Sequence, residues 1–498
     1  MTTNITEGYP DFKTLERIAF KTVCGTACKL IQEHLESLDQ ILMATRDTNE
    51  YRLVNKRTTT IKTLMGEVTF ERRYYRESSG RDTFLLDKAL GLNSGCGLVS
   101  ENLAEQIVDE CSEKSFRKAA YGISLHTGQY ISAQGAWNVI QQYGGKIECQ
   151  ETRLQELDDR GSTGHLGNIV SSVLFDELDD VWVSRQKEKR QKKGKDSAID
   201  TPVVPVKKTG KKPIHMGTAY TGWIQKKDGR YATINKIAYA SCGDVFSFTS
   251  MFETILRHRF DMDRIEQRIT NGDGAAWIKA ATEANDSILQ LDPYHRSKAI
   301  LREVGNRVDR QLLFDTIAEK DVRKVLSIIL TLSVEAQDDG TKKKLKKLYD
   351  YFNNNKDSFL TWQERGIELP APPEKVLYRN LGVQESTNCT LVTQRMKHRR
   401  GSWSDKGAEH MAKILCLRNT IGIDTILGTL PEVPIVKQWP DPLSAAKTPR
   451  IDGKGYGADW LHAEMPFEHA FRTNGREAIR NMLKQQTLPW LSGNRQGW

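Results

Sequence analysis

At 498 residues, with 28% charged and 38% hydrophobic residues, the chain is long enough for about three units of ordinary domain size. Mean hydropathy is −0.55, no apolar run reaches the roughly 20 residues of a bilayer span, and the opening MTTNITEGYPDF lacks a basic-then-apolar leader pattern. A soluble, cytoplasmic protein that does not engage a membrane is expected. The eight cysteines are too sparse for a disulfide framework, and Cys24 and Cys28 have no second pair to complete a zinc site.

The formal net charge of +9 is concentrated. Between Arg185 and Lys212, eleven Lys or Arg face three acids, a local +8. This stretch has almost no large apolar residues, so it cannot form a core and reads as a solvated arm. Its Lys192, Lys193, Lys207, Lys208, Lys211 and Lys212 are candidate contacts to a nucleic-acid backbone.

In chain order, residues 1–90 form an N-terminal helix and β-hairpin region. Leu15, Ile18, Ala19, Val23, Ala27, Leu30 and Ile31 recur at helical spacing, and TTTIKTLMGEVTFERRYYRE predicts a hairpin turning near Gly66. Residues 91–165 hold two helical stretches, 101–123 and 132–145, with Ser132 placed to cap the second. They resemble a helix-turn-helix whose second helix would offer Gln134, Asn138, Gln141 and Gln142 to base edges; a helical pair used for dimerisation is the alternative.

From Asn168 a strand-like run broken by acids is followed, after the basic insertion, by HMGTAYTGWI and RYATINKIAYAS, joined through Asp228-Gly229, a hairpin signal. A helix, a strand ending in NGDG, a helix and a strand ending in DPYH follow. The order β β β α β α β predicts an α/β fold: an RNase H-like mixed-sheet core over 166–300, interrupted by the basic loop 185–213. Residues 301–380 read as an all-helical insertion, 381–420 as the completion of the core, and 421–498 as a C-terminal extension without legible chemistry.

In such a sheet the first strand is central and the fourth lies beside it, so Asp179 in one and Asp273 just past the other converge on a crevice. A carboxylate inside a strand is costly to bury unless it is hydrogen-bonded or binds a cation. Asp176, Glu177 and Asp180 compete with Asp179 for that role, although side-chain alternation puts Asp176 and Asp180 on the opposite face. Carboxylates of this kind suit Mg²⁺, and two ions about 4 Å apart suit in-line phosphodiester chemistry.

The acid-bearing strand, NGDGAAWIKAA, LDPYHRSKAI and QESTNCTLVTQRMKHRRGSWSDKGAEHMAKIL together resemble bacterial insertion-sequence transposases of the DDE class, in particular the ISLre-type family related to Mutator-like elements, over roughly residues 50 to 415. The resemblance implies metal ligands at Asp179, Asp273 and Glu385, with the register of Asp179 left open by the acids around it. It adds His295 to the catalytic set and makes Asp292 and Asn388 accessory; Asp292 is equally a helix N-cap before Pro293. Mg²⁺ is the implied cofactor, with Mn²⁺ as substitute. The implied partners are double-stranded DNA, both terminal inverted repeats and target, and a second copy of the chain in a dimer or larger assembly on DNA. The implied activity is strand cleavage and transfer. A structure-specific nuclease of the same fold and a non-catalytic DNA-binding descendant are the rivals. Arg395, Lys397, His398, Arg399 and Arg400 collect after Glu385, where they are expected to hold a DNA end, and Trp403 is expected either to stack on an unpaired base or to pack the helix on the sheet.

Overall fold

A computed structural model describes residues 11–92, 99–159, 167–186, 210–398 and 401–420. They fall into two compact units, one within residues 1–142 and one within 143–428.

In the first unit Phe12–Thr45 forms α1, started by Asp11, whose carboxylate accepts the Thr14 N–H at 3.0 Å. Tyr51–Lys62 (β1) and Glu67–Glu77 (β2) pair antiparallel, and Gly66, at φ +147°, makes the turn between them. The helix sets Cys28, Ile31, Leu35, Leu38 and Leu42 against Ile61, Val68 and Phe70 of the hairpin, and a buried Asp39–Arg73 ion pair at 2.6 Å joins the two. Asp82–Thr83 (β3) and Leu85–Leu90 (α2) complete this part. Glu101–Glu113 (α3), Phe116–Thr127 (α4) and Ala133–Asp159 (α5) follow, the unit boundary falling inside α5. The predicted single helix over 101–123 is broken because Lys114 is extended and Ser115 caps a new helix, accepting the Lys118 N–H at 3.4 Å. On α5, Gln134, Asn138 and Gln142 are exposed and Gln141 is half-buried.

The second unit is a mixed α/β domain. Its strands are Val173–Ser184 (β4), Lys211–Tyr220 (β5), Trp223–Gln225 (β6), Tyr231–Thr233 (β7), Ile237–Ser241 (β8), Gln267–Gly272 (β9) and Ile288–Leu291 (β10). Five form one sheet in the order β10-β9-β4-β5-β8: β10, β9 and β4 run parallel, and β5 and β8 continue antiparallel. The first strand is thus central with the fourth beside it. β6 and β7 form a separate hairpin around Gly229, at φ +80°. Val245–Arg259 (α6) and Ala276–Ala284 (α7) cover one face through Phe248, Phe252 and Ile278, which meet Leu174 and Leu178 of β4. On the other face the odd-numbered Val173 and Phe175 pack with Trp223, Ile269 and Leu381.

Beyond β10, Pro293–Glu303 (α8) leads into Arg307–Ala318 (α9), Val322–Glu335 (α10) and Asp339–Asn354 (α11). Leu313, Ile317, Val325, Ile329, Leu345, Leu348 and Phe352 of these helices share a core with Leu291 and Ile300. After an irregular stretch come Val383–Thr387 (α12), which widens directly into a π-helix over Asn388–Lys397, and Asp405–Thr420 (α13). α13 lies along the edge strand β8: Glu409 accepts from the Ser241 hydroxyl at 3.0 Å, and Lys413 pairs with Glu409 at 2.8 Å and Glu151 at 2.5 Å. Gly144 lets α5 approach α13, since a Cβ there would meet the His410 ring at 2.1 Å.

Candidate metal centre

The parallel register places Glu177 opposite Asn271, and Asn271 opposite Gln290. These three are fully buried on one face of the sheet and bonded in a row: Asn271 donates to Glu177 at 3.0 Å and Gln290 donates to Asn271 at 3.0 Å. Two residues further on stand Asp179, still within β4, and Asp273 and Asp292, just past the ends of β9 and β10. Alternation puts Asp179 on the face of this polar floor; Asp273 is close enough to act on its charge and, with Asp292, on that of His295.

Asp179 is 8% exposed; one carboxylate oxygen accepts the Asp180 N–H at 2.8 Å and the other the Asn388 amide at 2.7 Å. Burial pushes its pKa up to about 6; Asp273 and Glu385 push the same way, while His295 and the Asp180 N–H oppose them. Asp273 sits in a turn that needs Gly274, at φ +85°, where a Cβ would come 2.5 Å from the Asn355 side chain. Its side chain accepts the Ala275 N–H at 2.9 Å and its carbonyl the Tyr351 hydroxyl at 2.7 Å, so α11 braces this loop. Asp292 caps α8 and also accepts from His295 Nδ1 at 2.7 Å, so the N-cap residue orients the histidine as well. Burial disfavours a charged His295, but the hydrogen bond to Asp292 and the carboxylates of Asp179, Asp292 and Asp273 outweigh it and hold its pKa above the ordinary value.

Glu385 lies in the first turn of α12, and Asn388, one turn on, faces the same way. Donor atoms of Asp179, His295 and Glu385 all lie within 4.8 Å of one another. Two hard carboxylates, one of them largely buried, and one imidazole converge here and fit a divalent cation, which would offset the cost of burying their charge.

The competing acids are committed elsewhere. Asp176, on the opposite face, pairs with Arg268 at 2.8 Å and accepts from Thr270 at 3.0 Å; Asp180 pairs with His215 at 2.6 Å. Glu177 shares the face of Asp179, yet it accepts from Tyr220, Asn271 and the N–H groups of Gly382, Val383 and Gln384 at 2.9–3.1 Å. It clamps the start of the helix that carries Glu385. Sequence reasoning missed that role, although alternation alone puts Glu177 beside Asp179. It also missed Lys236, whose ammonium donates to Thr387 at 2.7 Å.

Of the expected DNA-binding residues, Lys192, Lys193, Lys207, Lys208, Arg399 and Arg400 lie outside the described residues. Lys211, Lys212, Lys397 and His398 are exposed, and Lys212 pairs with Asp405 at 2.8 Å. Two further side chains turn inward, Trp403 in the packing role that was one of its two expected ones. Trp403 is 6% exposed, donates its indole N–H to the Met396 carbonyl at 3.1 Å and pairs its backbone with Ser184 and Gln186, so it packs the chain against β4 rather than offering a stacking face. Arg395 is buried with its guanidinium over the Trp403 ring, which takes it away from a phosphate.

The second unit is therefore a mixed α/β domain with a carboxylate-and-histidine crevice at the ends of its parallel strands. The chain belongs to UPF0236, an uncharacterised protein family, whose model matches residues 5–428. A UPF0236 protein of Caldanaerobacter subterraneus subsp. tengcongensis is 25% identical over 396 residues, covering 77% of this chain and 73% of that protein. Another from the same organism, whose name joins eleven locus designations, is 26% identical over the same shares. The UPF0236 protein in the vanSb 3′ region of Streptococcus gallolyticus is 23% identical, covering 76% and 77%. Among solved structures, the Mos1 strand transfer complex matches at 11% identity over 52% of this chain and 78% of that one, with a TM-score of 0.12, a likeness too slight to bear on the fold. Among the described residues no helix is long and apolar enough to cross a membrane.

Proposed function

We propose that this protein is a DNA transposase of the DDE class, its second unit an RNase H-like core that cleaves the ends of a mobile element and joins them to target DNA. The observation that carries the reading is the gathering of Asp179, inside the central strand β4, with Asp273 and Asp292 just past β9 and β10 and Glu385 from a helix held against the sheet. The family adds support: a relative named for eleven loci of one genome is what an element that multiplies itself would leave.

Asp179, Asp273 and Glu385 would hold Mg²⁺ or Mn²⁺, which when bound supplies activation of an attacking oxygen and stabilisation of a leaving one. The chain's own residues do the positioning. Asn388 fixes one oxygen of Asp179, Glu177 and Lys236 secure the helix of Glu385, and Asp292 holds the proton on His295 Nδ1. The exposed Lys397 and His398 at the end of the π-helix would meet a DNA backbone, and the first unit would recognise the terminal repeats in an assembly of two or more copies.

The test is a strand-cleavage and strand-transfer assay of the full chain on duplexes carrying the ends of its own element. Wild type with Mg²⁺ or Mn²⁺ is expected to cut and join. Asp179→Asn, Asp273→Asn and Glu385→Gln should each lose about a thousandfold or more, in line with removing a group that stabilises transition-state charge. Undiminished strand transfer by Asp179→Asn, or in excess EDTA, would refute the reading; cutting without joining would make the protein a nuclease.

A further inference from the structure

We infer that His295 is a direct ligand of the bound ion, so that Asp179, Glu385 and His295 form a two-oxygen, one-nitrogen set that selects Mn²⁺ or Co²⁺ over Mg²⁺. The inference rests on reading this crevice as a metal centre. It goes beyond the all-carboxylate site expected from the acids alone.

Distance is the first ground. Donor atoms of these three residues lie within 4.8 Å of one another. Donors about 2.0–2.3 Å from a common ion stand about 3 Å apart when adjacent and up to about 4.5 Å apart when opposite, so the cluster is near the size that one ion spans. The imidazole is also oriented from behind. Its Nδ1 is engaged by Asp292 at 2.7 Å, and Asp292 is itself fixed, its other oxygen accepting the Tyr294 N–H at 3.3 Å and its own N–H bonded to the Gly272 carbonyl at 2.8 Å. With Nδ1 so engaged, Nε2 is the nitrogen available to an ion. A carboxylate behind a histidine is the arrangement that fixes the tautomer and raises the basicity of a metal-bound imidazole.

The donor chemistry then decides which ions are favoured. Asp179 keeps lone pairs beyond its two hydrogen bonds, and the Glu385 carboxylate makes no hydrogen bond among the described residues. Mg²⁺ asks for hard oxygen in near-ideal octahedra and keeps its waters, whereas imidazole gives its advantage to the transition metals. The competing role for His295 is that of a cationic counter-ion to the acids, touching no metal.

The experiment uses full-length protein freed of metal and loaded with one equivalent of Mn²⁺. Pulsed electron paramagnetic resonance should show modulation from a directly bound ¹⁴N nucleus in wild type and none in His295→Gln. Calorimetric titration should show Mn²⁺ and Co²⁺ binding weakened at least tenfold by His295→Gln and about 10- to 100-fold by Asp292→Asn, with Mg²⁺ binding changed far less. The wild-type nitrogen signal decides the matter even if a variant folds poorly. Mn²⁺ that binds without nitrogen modulation, and equally well in His295→Gln, overturns the ligand role while leaving the metal centre standing. A wild type that binds no divalent ion overturns both.

Discussion

Asp179 shows how a single side chain records the cost of the site. In the metal-free protein its pKa of about 6 lies above the usual 3.8, first because the group is buried and then because Asp273 and Glu385 add negative potential. The folded state therefore binds this proton more tightly than the unfolded chain does. The residue's contribution to stability is present below about pH 4 and is lost as pH rises through about 6. Asp179→Asn removes the charge. In EDTA the stability of the variant relative to wild type should rise by on the order of 3 kcal/mol between about pH 4 and pH 6, beside a pH-independent loss from turning an amide N–H₂ toward the Asp180 N–H or Asn388. Thermal unfolding of both proteins at the two pH values measures this, and a difference in midpoint that does not change with pH would show that the carboxylate carries no such cost.

At the scale of elements, the contact that matters most to the site runs from a strand to a helix start. The Glu177 side chain bonds three successive N–H groups at the entry to α12, and its partners Tyr220 and Asn271 fix it within the sheet. Glu177→Gln would turn an amide N–H₂ toward at least one of these donors and leave that group buried without an acceptor, at about 1–3 kcal/mol. The variant should unfold at a lower temperature, and on the proposed function its affinity for Mn²⁺, at a temperature where it remains folded, should fall because Glu385 is held less firmly. Intact Mn²⁺ affinity in a destabilised variant would confine Glu177 to the fold. The π-helix that continues α12 ends in the exposed Lys397 and His398, while Arg395 turns inward onto Trp403.

For the whole molecule the dominant feature is uneven charge. Most of the net +9 lies in the segment from Arg185 to Lys212, which follows β4 and ends in the first two residues of β5. On the proposed function this segment meets DNA phosphates rather than bases. Neutralising Lys192, Lys193, Lys207 and Lys208 together should weaken binding to every sequence alike and shallow the slope of log affinity against log salt by roughly 3 to 4. A salt titration of binding to two unrelated duplexes checks this; an unchanged slope would make the segment a solvated loop.

Most elements and their order were legible in the sequence, although the helix read over 101–123 is two, α3 and α4, and the Gly229 hairpin stands apart from the main sheet. Helical spacing located α1, the Gly66 and Gly229 turns located two hairpins, and the succession of strands and helices made the acid-bearing strand central, because these signals are local and repeat within a few residues. The Glu-x-x-Asn spacing likewise put Glu385 and Asn388 on one helical face. Alternation already turned Asp176 and Asp180 to the other face, but only the tertiary structure decided what each of the four neighbouring acids binds. That depended on partners far away in the chain: Arg268 for Asp176, His215 for Asp180, and the start of α12 for Glu177. It also decided that Trp403 and Arg395 pack inward and that His295 joins Asp179 and Glu385. Periodicity states which way a side chain points; what it meets there is set by segments distant in the chain, brought together when the sheet and its flanking helices close.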